Sequence, residues 1–336
     1  MKPKARLLLS LFVIAVLLSV IGSGCRTQES NVAPDHETEH VHADVLPHLT
    51  PVALEAGERL RVVATTSIVA DVVAQVGGEQ IALTQLMPLG ADPHGFEPTP
   101  RDAAAIADAH VLFINGAGLE TFLDNLLESA GDAPLVPVSA GIELLPFEVN
   151  GHHGEDDHHE GEGDPHLWFD PNNVLVWVHN IEETLSALDP QHAEAYHENA
   201  EAYEAELEAL DAWIRAEVAR IPEENRLLVT DHASLTYFAD RYGFRQVGAV
   251  IPATTTLAES SAQELAALQE AIGEYNVPAI FVGRTVNPRL AEQIAADTGV
   301  RLVSIYTGSL SEANEPAATY LDFMRYNVTA IVEGLQ

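Results

Sequence analysis

The sequence predicts an α/β protein of two lobes, each a mainly parallel sheet flanked by helices, joined by one long helix. Three observations carry this. Short apolar runs alternate with amphipathic segments from about residue 59 onward, the alternation occurs in two separate series, and a helical apolar stripe lies between them. The chain has 336 residues, 47% of them hydrophobic and 20% charged, which is enough for two such lobes and excludes a mainly disordered or collagen-like chain.

The first lobe is expected over residues 59–188. Its apolar runs at 61–65, 81–86, 111–114 and 135–138 read as strands, and the segments 68–76, 101–108 and 122–130 as helices. Thr99, Pro100 and Asp102 fit a helix start, with a capping side chain, proline at the first helical position and an acid in the first turn. Residues 189–222 are the expected linking helix. Tyr203, Leu207, Leu210, Ile214, Val218 and Ile221 recur every three or four residues, and residues 190–221 would span about 48 Å. So stiff a connection limits hinge motion. In the second lobe, 223–336, strands are expected at 227–230, 246–251, 279–282 and 301–305. Helices are expected there at 235–241, 262–273, 288–298 and 317–332.

Residues 1–24 have the form of an export signal. Lys2, Lys4 and Arg6 precede the apolar run from Leu7 to Ile21, and Gly22, Ser23 and Gly24 follow it. Cys25 stands where bacterial lipoproteins carry their lipid, although Gly22 replaces the usual leucine three residues before it. An ordinary secretory signal or an uncleaved anchor is the alternative. On this reading the protein is extracytoplasmic, residues 25–58 are a lipid-attached flexible tether, and the lone cysteine forms no disulfide. Lys plus Arg number 16 against 51 Asp plus Glu, a net charge of -35, which excludes a nucleic-acid partner.

The 15 histidines sort into three groups. His94, His166 and His232 are single histidines in loops, within Gly90-Ala-Asp-Pro-His-Gly-Phe-Glu-Pro-Thr-Pro100, Asp164-Pro-His-Leu-Trp-Phe-Asp-Pro171 and Thr230-Asp-His-Ala-Ser234. His94 and His232 follow strands, and loops beyond the carboxyl ends of parallel strands are where such sheets bind ligands. Imidazole is a common metal ligand, so one lobe could supply His94 and His166 and the other His232. Taken singly, each is as well read as a loop histidine bonded to backbone. The second group is the tract 151–163, with four histidines (His152, His153, His158 and His159), five acids, four glycines and no apolar residue. Such a stretch cannot bury surface and reads as a mobile, weakly metal-collecting loop, or else as a solvated spacer. His36, His40, His42 and His48 look like a sparser version of it. The third group, His110, His179, His192 and His197, reads as core or surface.

With these residues in view, the chain from about Arg59 onward resembles the zinc- and manganese-binding receptors of bacterial ABC importers, the cluster A-I solute-binding lipoproteins. The resemblance rests on Gly90 to Pro100 with Asp102, Asn115-Gly-Ala-Gly-Leu-Glu120, Asp164 to Pro171, Asp231-His-Ala, Tyr237-Phe-Ala-Asp-Arg-Tyr-Gly243 and the tail from Tyr320 to Gly334. It implies two α/β lobes, metal between them, His94, His166 and His232 as ligands, an ABC permease and its ATPase subunit as partners, and a monomer without enzymatic activity. It also implies that the tract 151–163 is the His-rich loop of zinc-type members. One departure stands out. The family commonly supplies a fourth, acidic ligand just after the last strand, and Gly308 of Ile305-Tyr-Thr-Gly-Ser-Leu310 falls there, leaving water, a loop histidine or an acid such as Glu312.

Three imidazoles without a carboxylate favour Zn2+ as the transported ion, with Mn2+ as the alternative and copper and nickel also compatible. Binding should weaken below about pH 6 as the imidazoles protonate. A zinc hydrolase would use a similar histidine set, but the HExxH spelling in the chain, His36-Glu37-Thr38-Glu39-His40, falls in the expected tether and includes none of His94, His166 and His232, and no GxxxxGK[ST] phosphate loop is present. A surface zinc-buffering or adhesive protein is the remaining rival.

Overall fold

The computed structural model describes residues 46–123, 133–146 and 163–336. Its architecture is α/β, with two four-stranded sheets, every strand pairing being parallel. The first sheet comprises β1 (Leu60–Ala64), β2 (Ile81–Gln85), β3 (Val111–Ile114) and β4 (Leu135–Pro137), in the order β2-β1-β3-β4. Around it lie α1 (Ser67–Gly77) and α2 (Pro100–Ala107). The second sheet comprises β5 (Leu227–His232), β6 (Arg245–Ile251), β7 (Ala279–Gly283) and β8 (Arg301–Ile305), in the corresponding order β6-β5-β7-β8. Its helices are α5 (Thr236–Tyr242), α6 (Ala262–Tyr275), α7 (Arg289–Thr298) and α8 (Tyr320–Leu335), numbered after the two helices between the sheets. Strands buried on both faces explain the near-continuous apolar runs: all of Ala279–Gly283 is buried. In each sheet the order reverses beside the first strand, at β1/β3 and β5/β7, and there the carboxyl ends leave a crevice.

Two helices separate the sheets, one more than the sequence reading anticipated. The unanticipated one, α3 (Pro171–Leu188), begins at Asp170, whose carboxylate accepts the Asn172 amide, with proline at the first helical position. It buries Val174, Trp177, Val178, Ile181, Leu185 and Leu188. The expected long helix is α4 (Ala193–Val218), whose 26 residues span about 39 Å, less than the stripe suggested because the segment opens with a turn at Pro190 and His192. The stripe residues Tyr203, Leu207, Leu210, Ile214, Val218 and Ile221 are all buried.

A single apolar cluster runs through α1, α3, α4, β5, α5 and α8 and so joins both sheets. Residues 46–58, expected as part of the tether, lie on this cluster. Leu46, Leu49, Val52 and Leu54 pack against it, and the Val52 amide donates to the Leu188 carbonyl at 2.8 Å. The alternation of leucine and valine with polar residues was the available signal. The proposed export signal, Cys25, most of the expected 122–130 helix and the tract 151–163 except Gly163 lie outside the described residues. Among the described residues, no helix is long and apolar enough to cross a membrane.

Candidate metal centre

His94, His166 and His232 come from three loops and meet at one point. His94 sits in a short 3-10 turn, Pro93–Gly95, after β2, and its amide is held by the Asp92 carboxylate at 3.1 Å. His166 precedes another such turn, Leu167–Phe169, and the Asn115 side chain at the end of β3 fixes the preceding carbonyl of Pro165 at 3.0 Å. His232 is the last residue of β5. His166 and His232 are 1% and 2% exposed, and His94 is half-buried.

The three rings stand as a near-equilateral triangle with centroids 5.1, 5.3 and 5.5 Å apart. The Nε2 atom of His166 lies 3.2 Å from that of His94 and 3.2 Å from that of His232. A tetrahedral ion about 2.05 Å from each nitrogen would hold them about 3.3 Å apart, which these two separations match. Of the described residues, only these three form a group of three or more His, Cys, Asp or Glu side chains whose ligand atoms all lie within 4.8 Å of one another.

Two carboxylates set the direction of the rings. Asp164 Oδ1 accepts both the backbone amide of His166 at 2.9 Å and its ring Nδ1 at 2.7 Å. Asp231 Oδ1 does the same for His232 at 2.7 and 3.0 Å, while its Oδ2 accepts the Gly283 amide at 2.8 Å. A proton held on Nδ1 leaves the Nε2 lone pair bare and facing the centre, and the carboxylate makes that nitrogen a better ligand. The sequence reading assigned these aspartates no role, although Asp92, Asp164 and Asp231 each stand one or two residues before a candidate histidine.

Crowding and burial split the protonation of the cluster. Burial, reinforced by the two neighbouring imidazoles, pushes His94 down to about 2. Burial also lowers His166, against the pull of Asp164. For His232 burial acts in the same direction, but the carboxylates of Asp231, Asp92 and Asp164 outweigh it and raise the imidazole above its ordinary value. Of the three rings, His232 is therefore the one whose surroundings favour a proton in the metal-free cluster.

No fourth protein ligand joins the described residues of the cluster. Glu312 is exposed and stands apart from it. Gly308 lies against the His94 turn: a Cβ there would fall 2.6 Å from Cδ of Pro93, so the turn occupies the space that a side chain would need. Cys25 and the loop histidines His152, His153, His158 and His159 lie outside the described residues. His179 and His197 pair with surface glutamates, His192 pairs with Asp189, and the His110 ring accepts the Arg61 amide, in keeping with core or surface roles.

Residues 62–334 match the family of the periplasmic zinc-uptake complex component A, ZnuA. The manganese-binding lipoprotein MntA of Halalkalibacterium halodurans is 34% identical, over 96% of this chain and 97% of that protein. Among solved structures, a mutant of the periplasmic metal binding protein of candidatus liberibacter asiaticus with manganese bound superposes with a TM-score of 0.74. It is 27% identical and covers 83% of this chain and 100% of its own. The periplasmic zinc binding protein TroA of Treponema pallidum gives a TM-score of 0.72 at 27% identity, over 83% of this chain and 99% of its own. The chain thus belongs to the ZnuA family of periplasmic metal-binding receptors of ABC importers, which are not enzymes.

Proposed function

We propose that the protein captures Zn2+ through Nε2 of His94, His166 and His232 and delivers it to an ABC permease driven by a separate ATPase subunit. The observation that carries this is the triangle of imidazoles, two of whose Nε2 separations are 3.2 Å, with no carboxylate oxygen among the gathered atoms. Three nitrogens with room for a water suit zinc, whereas oxygen-rich sites suit manganese. The burial of His166 and His232 supplies a dry site, and Asp164 and Asp231 supply the orientation. The ion is cargo, so the site needs no general base.

Manganese is the second reading, favoured by the 34% identity to a lipoprotein named for that ion. The same proposal places the protein outside the cytoplasmic membrane as a monomer, tethered through a lipid on Cys25, with the tract 151–163 as an accessory zinc collector. Competitive calorimetric titration with zinc and manganese tests it on protein that starts after Cys25, compared with a form lacking 151–163 and with His94→Ala. A tight zinc site that survives the deletion and is lost with His94 is the expected result. Zinc binding that vanishes with the loop and ignores His94 would replace it by the surface-buffering reading.

A further inference from the structure

His94 belongs to the first lobe by sequence, yet the turn that carries it is fastened to the second. Among the described residues, apart from the local bond from the Ala91 amide to the Pro88 carbonyl, each hydrogen bond that leaves residues 89–95 runs either to the second lobe or to the His166 ring. The Gly90 amide donates to Oγ of Ser309 at 2.8 Å, in the loop after β8. Thr256 Oγ1, in the loop after β6, donates to Oδ2 of Asp92 at 2.5 Å, and the other oxygen of that carboxylate holds the His94 amide. Between these points the Pro93 ring is seated on Gly308, and Gly95 lies against Leu257. Ser309 is itself fixed: it is 3% exposed, its hydroxyl lies 3.2 Å from that of Ser67, and Ser67 accepts the Leu310 amide at 2.9 Å.

We propose that Ser309 and Thr256 are positioning residues which clamp the His94 turn from the opposite lobe and set how fast the bound ion leaves. This rests on the reading of His94, His166 and His232 as the ligands. The clamp makes a ligand of one lobe depend on contacts with the other, so separation of the lobes at these two hydroxyls withdraws His94 while His166 and His232 keep their aspartates. Neither hydroxyl joins the gathered ligand atoms, and each acts through the turn.

The test uses the full chain in detergent, loaded with zinc, with transfer of the ion to an excess of a chromogenic chelator followed by stopped flow. Ser309→Ala and Thr256→Val should each release zinc about fivefold faster, the factor that corresponds to one neutral hydrogen bond of about 1 kcal/mol. Thr256→Ser, which retains the hydroxyl at a half-buried position, should return the rate to that of the unsubstituted chain. A purely structural role predicts a lower melting temperature of the metal-free protein with an unchanged release rate, and that result would overturn the clamp. Release at the unsubstituted rate in both variants, with zinc taken up normally, overturns the clamp alone. No zinc uptake by the unsubstituted chain overturns the metal reading and the clamp with it.

Discussion

Lowering the pH from 8 to 5 should cost zinc binding one proton per ion, and the structure says which imidazole supplies it. Three free imidazoles of ordinary pKa, about 6.5, would each be almost fully protonated at pH 5, and competition at all three would weaken binding by about 30,000-fold. The cluster does not behave as three free imidazoles. His94 is pushed down to about 2, which keeps it bare over this range, and burial lowers His166 against the pull of Asp164, so it takes a proton less readily than a free imidazole. His232 alone is raised, through Asp231, Asp92 and Asp164. The loss at pH 5 is then one factor of about 30 or somewhat more, and its onset lies above pH 6.5 rather than below 6. A chelator-competition series at half-unit pH steps reads this as a limiting slope of one in log affinity against pH. Calorimetry in two buffers of different ionisation enthalpy counts the same proton directly. Asp231→Asn, which removes the charge that raises His232, should move the onset to lower pH and weaken binding at pH 8 by about tenfold or more. A limiting slope of two or three, or an onset unmoved by Asp231→Asn, would refute the assignment.

Three other outcomes follow from the packing. Gly308→Ala places a methyl group 2.6 Å from Pro93, and displacement of the His94 turn should weaken zinc binding about tenfold in calorimetry, in keeping with overpacking costs of about 1–3 kcal/mol. Trp177 is fully buried on α3, so Trp177→Ala should lose about 3–5 kcal/mol in denaturant unfolding; its indole nitrogen has no acceptor among the described residues, and Trp177→Phe should lose much less. Burial of His94 and His166 should destabilise the metal-free protein as pH falls below 6.5, with the raised His232 acting in the opposite sense. An imidazole whose pKa is depressed in the fold takes up its proton only on unfolding, so its stability is full above 6.5 and lost below. His94 alone accounts for about 2 kcal/mol at pH 5, seen as a falling melting temperature in calorimetry.

Much of the fold was legible because its signals are local. Parallel strands covered on both faces must be continuously apolar, and runs such as Ala279–Gly283 announce themselves; the buried stripe on α4 does so by its period. Helix α3 was missed where two signals competed. Its start, Asp170-Pro171, closes the conspicuous loop around His166, and its apolar residues are interrupted by Asn180, whose side chain is spent on the carbonyls of Val138 and Ala140. The three histidines could be singled out by residue type and place after strands. Their aspartate partners could have been read from the spacing, but Asp231 also serves the amide of Gly283, a contact 52 positions away that no local pattern encodes. Ser309 and Thr256 were invisible for the same reason: serine and threonine in loops are ordinary, and what distinguishes these two is the strand order that brings the ends of β6 and β8 against the turn after β2.

The apolar cluster that passes from α1 through α3 and α4 to α8 has a further consequence for how the molecule folds. Each sheet has a smaller apolar cluster of its own, but the larger one is shared: Phe169, from the loop after the first sheet, packs tilted against Phe323 of α8 with centroids 5.6 Å apart, and the Tyr320 hydroxyl is spent on the carbonyl of Trp168. A chain cut between α4 and β5 would expose that apolar surface on both fragments, so neither half should fold in isolation. Heat should therefore melt the intact receptor in one cooperative transition, with equal calorimetric and van't Hoff enthalpies, although its topology draws two lobes.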